Sequence, residues 1–234
     1  MRKIITFMIT IALLILTGCE TTAVPERSVT ERKEISIPVI TEYEPLTTFE
    51  YTEDMLYDMN KDNKEFSIMH DEKGKTYING HINTSPVKDE EYVIEQLSMI
   101  RSILGLKDPR KQIFFSPTQS DNEVYRFNQY HGGLRLYAGD VVVNVDAGTG
   151  MIEYVSASVA DADVLKTVQL DNILSEKDIT AKDPSLRIKE KIIWNVNEYS
   201  KAPVVAYVTV SEDDYVIISA VDGEIIAKWS LMVT

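Results

Sequence analysis

The chain opens with Arg2 and Lys3, continues through an apolar run over residues 4–16, and reaches its sole cysteine, Cys19, directly after Leu16-Thr17-Gly18. A basic start, a short apolar run and small residues before a cut are the parts of an export signal. The run falls short of the roughly 20 apolar residues that span a bilayer, so residues 1–18 are expected to be removed. That constrains everything downstream. Small exported domains commonly rely on disulfides, but a lone cysteine has no partner within the chain. The folded part must therefore be held by apolar packing. Removing 18 of the 234 residues leaves 216, and the loss of Arg2 and Lys3 takes the formal charge from −13 to −15. This length suffices for one large or two small cores. So acidic a chain excludes nucleic acid as a partner, because that binding neutralises phosphates with Lys and Arg. It is also repelled by anionic headgroups.

Residues 19–48 are rich in Thr, Glu, Pro and Ser and carry Pro25, Pro38 and Pro45. With so little to bury they read as a tether, and the apolar stretch 35–40 is left open as an edge strand. Residues 66–69 and 75–82 flank the polar turn Asp71-Glu72-Lys73-Gly74, a hairpin signal. A helix is expected over residues 88–104. Asp89, Glu90 and Glu91 suit its first turn, Gly105 its end, and Val93, Leu97, Ile100 and Leu104 form one apolar stripe. Strands follow over 112–116, 124–130, 134–137, 141–146 and 151–159, separated by Gly, Asn or Asp turns.

The pattern then returns in shorter form. Leu170, Ile173 and Leu174 offer a brief amphipathic stretch before Pro184, and strands are expected over 188–196, 204–210, 215–220 and 224–233. Ile188, Ile192, Trp194 and Val196 alternate onto one face, and Ile225, Ala227, Trp229 and Leu231 onto another. Asp222-Gly223 is a tight-turn dipeptide between the last two strands. The expected class is α+β: two tandem helix-on-antiparallel-sheet units of cystatin-like form, following a signal peptide and a flexible tether.

Three resemblances give this outline a direction. Leu16-Thr17-Gly18-Cys19 resembles the lipobox of bacterial lipoproteins. That implies a lipid on Cys19, which becomes the new N-terminus, and a protein anchored at the cell membrane facing away from the cytoplasm. Two or more acyl chains hold such a protein stably, at about 0.8 kcal/mol per buried CH₂. Residues 125–146 resemble the core motif of the fungalysin/thermolysin propeptide domain, with Phe127, Gln129, Gly133, Leu134, Leu136, Tyr137 and the strand ending in Asp146 in its places. Tyr77-Ile78-Asn79-Gly80-His81-Ile82 looks like the opening of such propeptides. The departures are Arg135, where the family often has Pro, and Asn144, where it often has His. Residues 192–229 are similar to a PepSY domain through Trp194, Tyr207 with its strand neighbours, and the Asp222-Gly223 turn, with Ser219 in place of the usual Asp. The two stand in the order found in proregions of thermolysin-type metallopeptidases. They divide the chain at 49–160 and 161–234.

The residues themselves carry no expected catalysis. His70, His81 and His131 lack the His-Glu-x-x-His spacing of the peptidase, so neither a metal nor another cofactor is expected. Asp161 with Asp163 and Asp213 with Asp214 read as solvated turns rather than calcium ligands. Trp194 and Trp229 read as core aromatics. Gly133 and Gly223 are expected to serve turns, and Gln129, as a buried amide beside a turn, to pin loop backbone groups. The resemblance implies a non-catalytic, membrane-anchored protein that binds a secreted thermolysin-like peptidase or another envelope protein, to chaperone or inhibit it. The alternative is a general envelope interaction or sensory module for a peptide or cell-wall ligand.

Overall fold

A computed structural model describes residues 36–121, 123–195 and 202–231. The export-type leader, Cys19 and Val196 lie outside the described residues. The compact unit from Ile37 onward holds every element named below. In chain order these are α1 (Glu53–Met59), β1 (Ser67–His70), β2 (Thr76–Asn79), α2 (Glu90–Met99), α3 (Arg101–Leu104), α4 (Pro109–Gln112), β3 (Ile113–Phe115), β4 (Val124–His131), β5 (Leu134–Val145) and β6 (Ile152–Ser158). There follow α5 (Ala162–Leu165), α6 (Glu176–Lys182), β7 (Arg187–Trp194), β8 (Val204–Val210), β9 (Asp214–Ser219) and β10 (Ile225–Ser230). The fold is α+β.

One branched sheet runs through it in the order β1-β2-β6-β5-β7-β8-β9-β10, with β4 also beside β5 and β3 beside β4. All pairings are antiparallel except β5 with β7, where Arg135 and Leu136 lie opposite Ile192 and Ile193. The expected strands 134–137 and 141–146 are thus one strand. It bends at Ala138, which sits at φ 56°, and at Gly139. Four β5 residues there face Gln129 alone on β4, a wide bulge that re-aims the strand. Beyond the bend β5 pairs with β6, and before it with β7.

The helical stripe over the first half is where its spacing predicts. Val93, Leu97, Ile100 and Leu104 are buried against Ile78, Phe127, Val141, Val143 and Val155. The helix is interrupted, however. Asp89 caps its start through Tyr92 N–H, and Ile100 leaves helical geometry at φ −121° before α3 ends on left-handed Gly105. The break frees carbonyls that the preceding arm takes up. Tyr51 N–H donates to Met99 O at 2.7 Å, and the buried Arg101 guanidinium donates to Ser98 O, Leu46 O and Thr48 O while pairing with Glu50 at 3.0 Å. The later part of the segment read as tether is therefore docked, with Tyr43 only 4% exposed. Helix α1 was not legible, because its seven residues bury only Leu56 and show no stripe.

In the second half the helix falls later than expected. Leu170, Ile173 and Leu174 are not helical but pack onto the second core from an irregular segment. The polar residues after them begin α6 instead. Ser175 and Asp178 form a reciprocal capping box, each satisfying the other's backbone N–H. Ile179 of α6 and Leu165 of α5 cover Ile193, Val205, Tyr207, Val216 and Ile218.

Two β-bulges also overturn the expected faces. One between Ile188 and Glu190 puts Ile188 with the helix-covered core, whereas Ile192 and Trp194 turn to the other face. One between Ile225 and Ala227 puts Ile225 opposite Ile218, while Ala227 lies opposite Ile217 and Trp229 opposite Tyr215. An inserted residue breaks the period of two on which the alternation argument rests.

Truncating Leu97 to Ala should cost about 2–5 kcal/mol, since the side chain is fully buried in the first core. Urea unfolding measures it, and a loss below about 0.5 kcal/mol would contradict the packing described.

Candidate functional site

The motif residues of the first segment gather around the β4–β5 hairpin. His131 and Leu134 pair across Gly132 and Gly133, at φ 57° and 78°, the two left-handed residues of a two-residue hairpin turn. Gly133 is the expected residue, but Gly132 is the more closely hemmed in. A Cβ there would lie 2.5 Å from Leu170 Cδ1, and its N–H donates to Ile40 O at 2.7 Å. Phe127 is fully buried beside Phe115.

Gln129 has no exposed surface, and its amide grips one peptide unit in both directions. Nε2 donates to Ala160 O and Oε1 accepts from Ala160 N–H, each at 2.8 Å. This pins the chain just after β6 to the bulge in β5. Gly139 is part of the same device, because a Cβ there would stand 2.7 Å from Leu136 Cβ and 3.3 Å from Gln129. Asp146, at the far end of β5, accepts from Thr149 Oγ1 and N–H, both at 2.7 Å. These bonds, the hydroxyl first, hold its carboxyl below the usual range.

The second segment's residues lie on both faces of its sheet. Tyr207 is buried under α6 and donates to Leu174 O at 2.9 Å. Gly223, at φ 79°, makes the β9–β10 turn and leaves room for Lys182, whose Nζ donates to Asp222 O. Trp194, 2% exposed, lies on the opposite face and stacks on Tyr137 of β5 at 4.4 Å. Trp229 continues that row 6.5 Å from Trp194, with Tyr215 5.9 Å beyond it. The structure thus joins a residue of the first motif, Tyr137, to one of the second. Arg135 helps to hold that seam with two bonds to Glu190 across the β5–β7 junction.

The other candidates hold structure. Asp161 caps α5, and Asp163 sits between Lys107 and Lys166, which lower its carboxyl to about 2. Asp214 bridges to Lys228. His70 meets Thr76 and His81 meets Ile152 O. His131 is no surface loop residue. It ends β4, 2% exposed, with Nδ1 3.2 Å from the hydroxyl of buried Tyr43, which also donates to Tyr130 O. Among the described residues no three His, Cys, Asp or Glu group to hold a metal. No described helix is long and apolar enough to cross a membrane.

The chain matches no protein-family model and no curated protein. Among solved structures it is similar to the C-terminal domain of Bacillus megaterium YpeB, at 14% identity and a TM-score of 0.34, over 80% of this chain and all of that one.

Burial holds both partners of the Tyr43–His131 pair neutral, pressing the imidazole below its usual range and the phenol up to about 12. The unfolded chain protonates His131 near pH 6.5 before the fold does, so stability present above about 6.5 is lost on acidification. Tyr43 contributes below about pH 10, and that contribution is lost as pH rises towards its folded value. A melting series across pH should fall on both sides. His131→Phe should flatten the limb just below 6.5 and leave the alkaline limb. An unchanged acid limb would assign the loss to groups other than His131.

Proposed function

We propose that this chain is a non-catalytic, lipid-anchored module of the cell envelope that binds an exported protein through its folded part, with a thermolysin-like metallopeptidase as the first expected partner. The observation that carries the reading is the ordered pair of proregion-like segments, residues 125–146 and then 192–229, behind Leu16-Thr17-Gly18-Cys19. The use to which the motif side chains are put supports it. Phe127, Gln129, Gly133, Asp146, Tyr207 and Gly223 build core, clamp and turns, which leaves surfaces rather than a reactive centre to meet a partner. A lipid on Cys19 would confine that meeting to the membrane face and raise the local concentration of the pair. The exposed end of the aromatic row, Trp229 beside Tyr215, favours a second reading, in which the ligand is a cell-wall fragment stacked on that edge.

Four measurements test the proposal. Replacing Cys19 with Ala should release or misprocess the protein, and unchanged processed protein in the membrane fraction would remove the anchor. Crosslinking of the anchored chain in intact envelopes should yield a defined exported partner, and the purified chain should cleave no peptide with or without added zinc. Zinc-dependent cleavage by the chain would overturn the non-catalytic reading. Retention on purified cell wall with no protein crosslinked would move the assignment to the second one.

A further inference from the structure

Strand β10 ends the sheet among the described residues, pairing with β9 alone. The other ends of the branched sheet are short, with four residues in β1 and three in β3, whereas β10 has six. Short edges resist pairing with foreign strands, and a longer one invites it. Leu231 N–H donates to Asp213 O. By the alternation of an antiparallel ladder, residues 227 and 229 then point their peptide groups to β9, and Lys228 points its own outward.

Beside this edge a groove of about 200 Å³ opens between α6 and the sheet. Its floor is Ile179 and Leu186 from the helical side with Val216 and Ile218 from β9, and its outer wall is Ile225 and Lys228 of β10. The bulge at residues 225–227 makes that wall, because it brings Ile225 and Lys228 to the same side. Ile225 is consequently 62% exposed although it borders the apolar core. The volume lies below the range of about 300–1,000 Å³ of small-molecule sites. It suits one large apolar side chain.

Two ammonium groups border the groove. Lys182 Nζ is fixed at the β9–β10 turn by Asp222 O, beside Gly223. Its hydrogen bond goes to a carbonyl rather than a carboxylate, although its charge also acts on the nearby carboxylates of Asp178 and Asp222. Lys228 stands further along β10, bridged to Asp214 and half exposed. The lining carboxylate of Asp183 is turned onto Ser185, whose N–H and hydroxyl it accepts.

The geometry points to a peptide-docking edge: an extended segment of a partner protein adds a strand to β10, places an apolar side chain in the groove, and sets acidic side chains two residues to either side against Lys182 and Lys228. Residues i, i+2 and i+4 of a strand share one face, so the expected pattern is acidic-x-apolar-x-acidic. Main-chain pairing supplies affinity and the groove supplies selectivity, as in other strand-addition complexes. This rests on the protein-binding reading and names the surface it would use.

A displayed library of random 12-residue peptides, selected on the full processed chain in detergent, tests it. The selected peptides should carry the acidic-x-apolar-x-acidic pattern and bind more weakly as salt rises. Synthetic copies should lose at least about tenfold in affinity, some 1.4 kcal/mol, with Ile225→Arg and with Lys182→Glu. Lys228→Pro should weaken binding more than Lys228→Ala, because only the proline removes the outward N–H. Each variant is first shown by circular dichroism and melting to be folded. Selection of no such pattern, unchanged binding by the Ile225→Arg chain, or displacement of the peptides by self-association of the protein would overturn the inference. An Ile225→Arg chain that still crosslinks the envelope partner would overturn this edge while leaving the proposed function in place. A wild-type chain that binds the peptides yet crosslinks no protein would do the reverse.

Discussion

Strand β5 joins the two halves of the branched sheet, and the bend that lets it do so governs the rest of the molecule. Its first half lies beside β7 and its second half beside β6, while β4 follows it along the other edge. A twelve-residue strand can change neighbours only where its ladder is broken, and the break sits at Ala138 and Gly139. Ala138 pays for the bend with a left-handed backbone, which costs a residue with a Cβ. The Gln129 clamp on Ala160 offsets that cost, because it ties the bulge to the chain leaving β6. A buried amide that keeps both its bonds is worth more than the same amide left unmatched.

The helical layers depend on the same junction. The first core lies under α2 and α3, the second under α5 and α6, and Leu136, just before the bend, belongs to the second. The arm ahead of α1 adds a further tie through Arg101, which reaches three backbone carbonyls and Glu50. Burying a guanidinium is costly unless its donors are satisfied. Those carbonyls belong to the broken end of α2 and to the arm, so the interruption at Ile100 and the docking of residues 46–51 are one arrangement. No disulfide is needed to hold it.

The candidate residues were legible in the sequence to different degrees, and the difference has a physical cause. Gln129 was legible as an amide on a strand next to a glycine turn, a position where, once buried, its hydrogen bonds must be met by backbone. Tyr43 and His131 gave no such signal. They are 88 residues apart and meet only because the arm crosses the β4–β5 turn. Lys182 is equally silent, since an exposed lysine on a helix reads as a solvated face until Gly223 and Asp222 are brought beneath it. The groove at β10 depends on a bulge, and a bulge leaves no mark on the hydrophobic pattern other than a broken alternation.

What the sequence determined by itself is what is local or periodic: the strands and their turns, the stripe of Val93, Leu97, Ile100 and Leu104, the glycine turns at 132–133 and 222–223, and the need for an apolar core in a chain with one cysteine. Side-chain spacing and backbone conformation act over a few residues, so they can be read without knowing the partners. The tertiary structure alone decided that β5 is one strand, that β7 joins it in parallel, and which face Ile188 and Ile225 take. It also decided that the helix of the second half starts at Ser175, after Leu170, Ile173 and Leu174 rather than among them. Each of these turns on a bulge, a cap or a crossover, where the position of one residue is set by a neighbour distant in sequence, and no local preference carries that information.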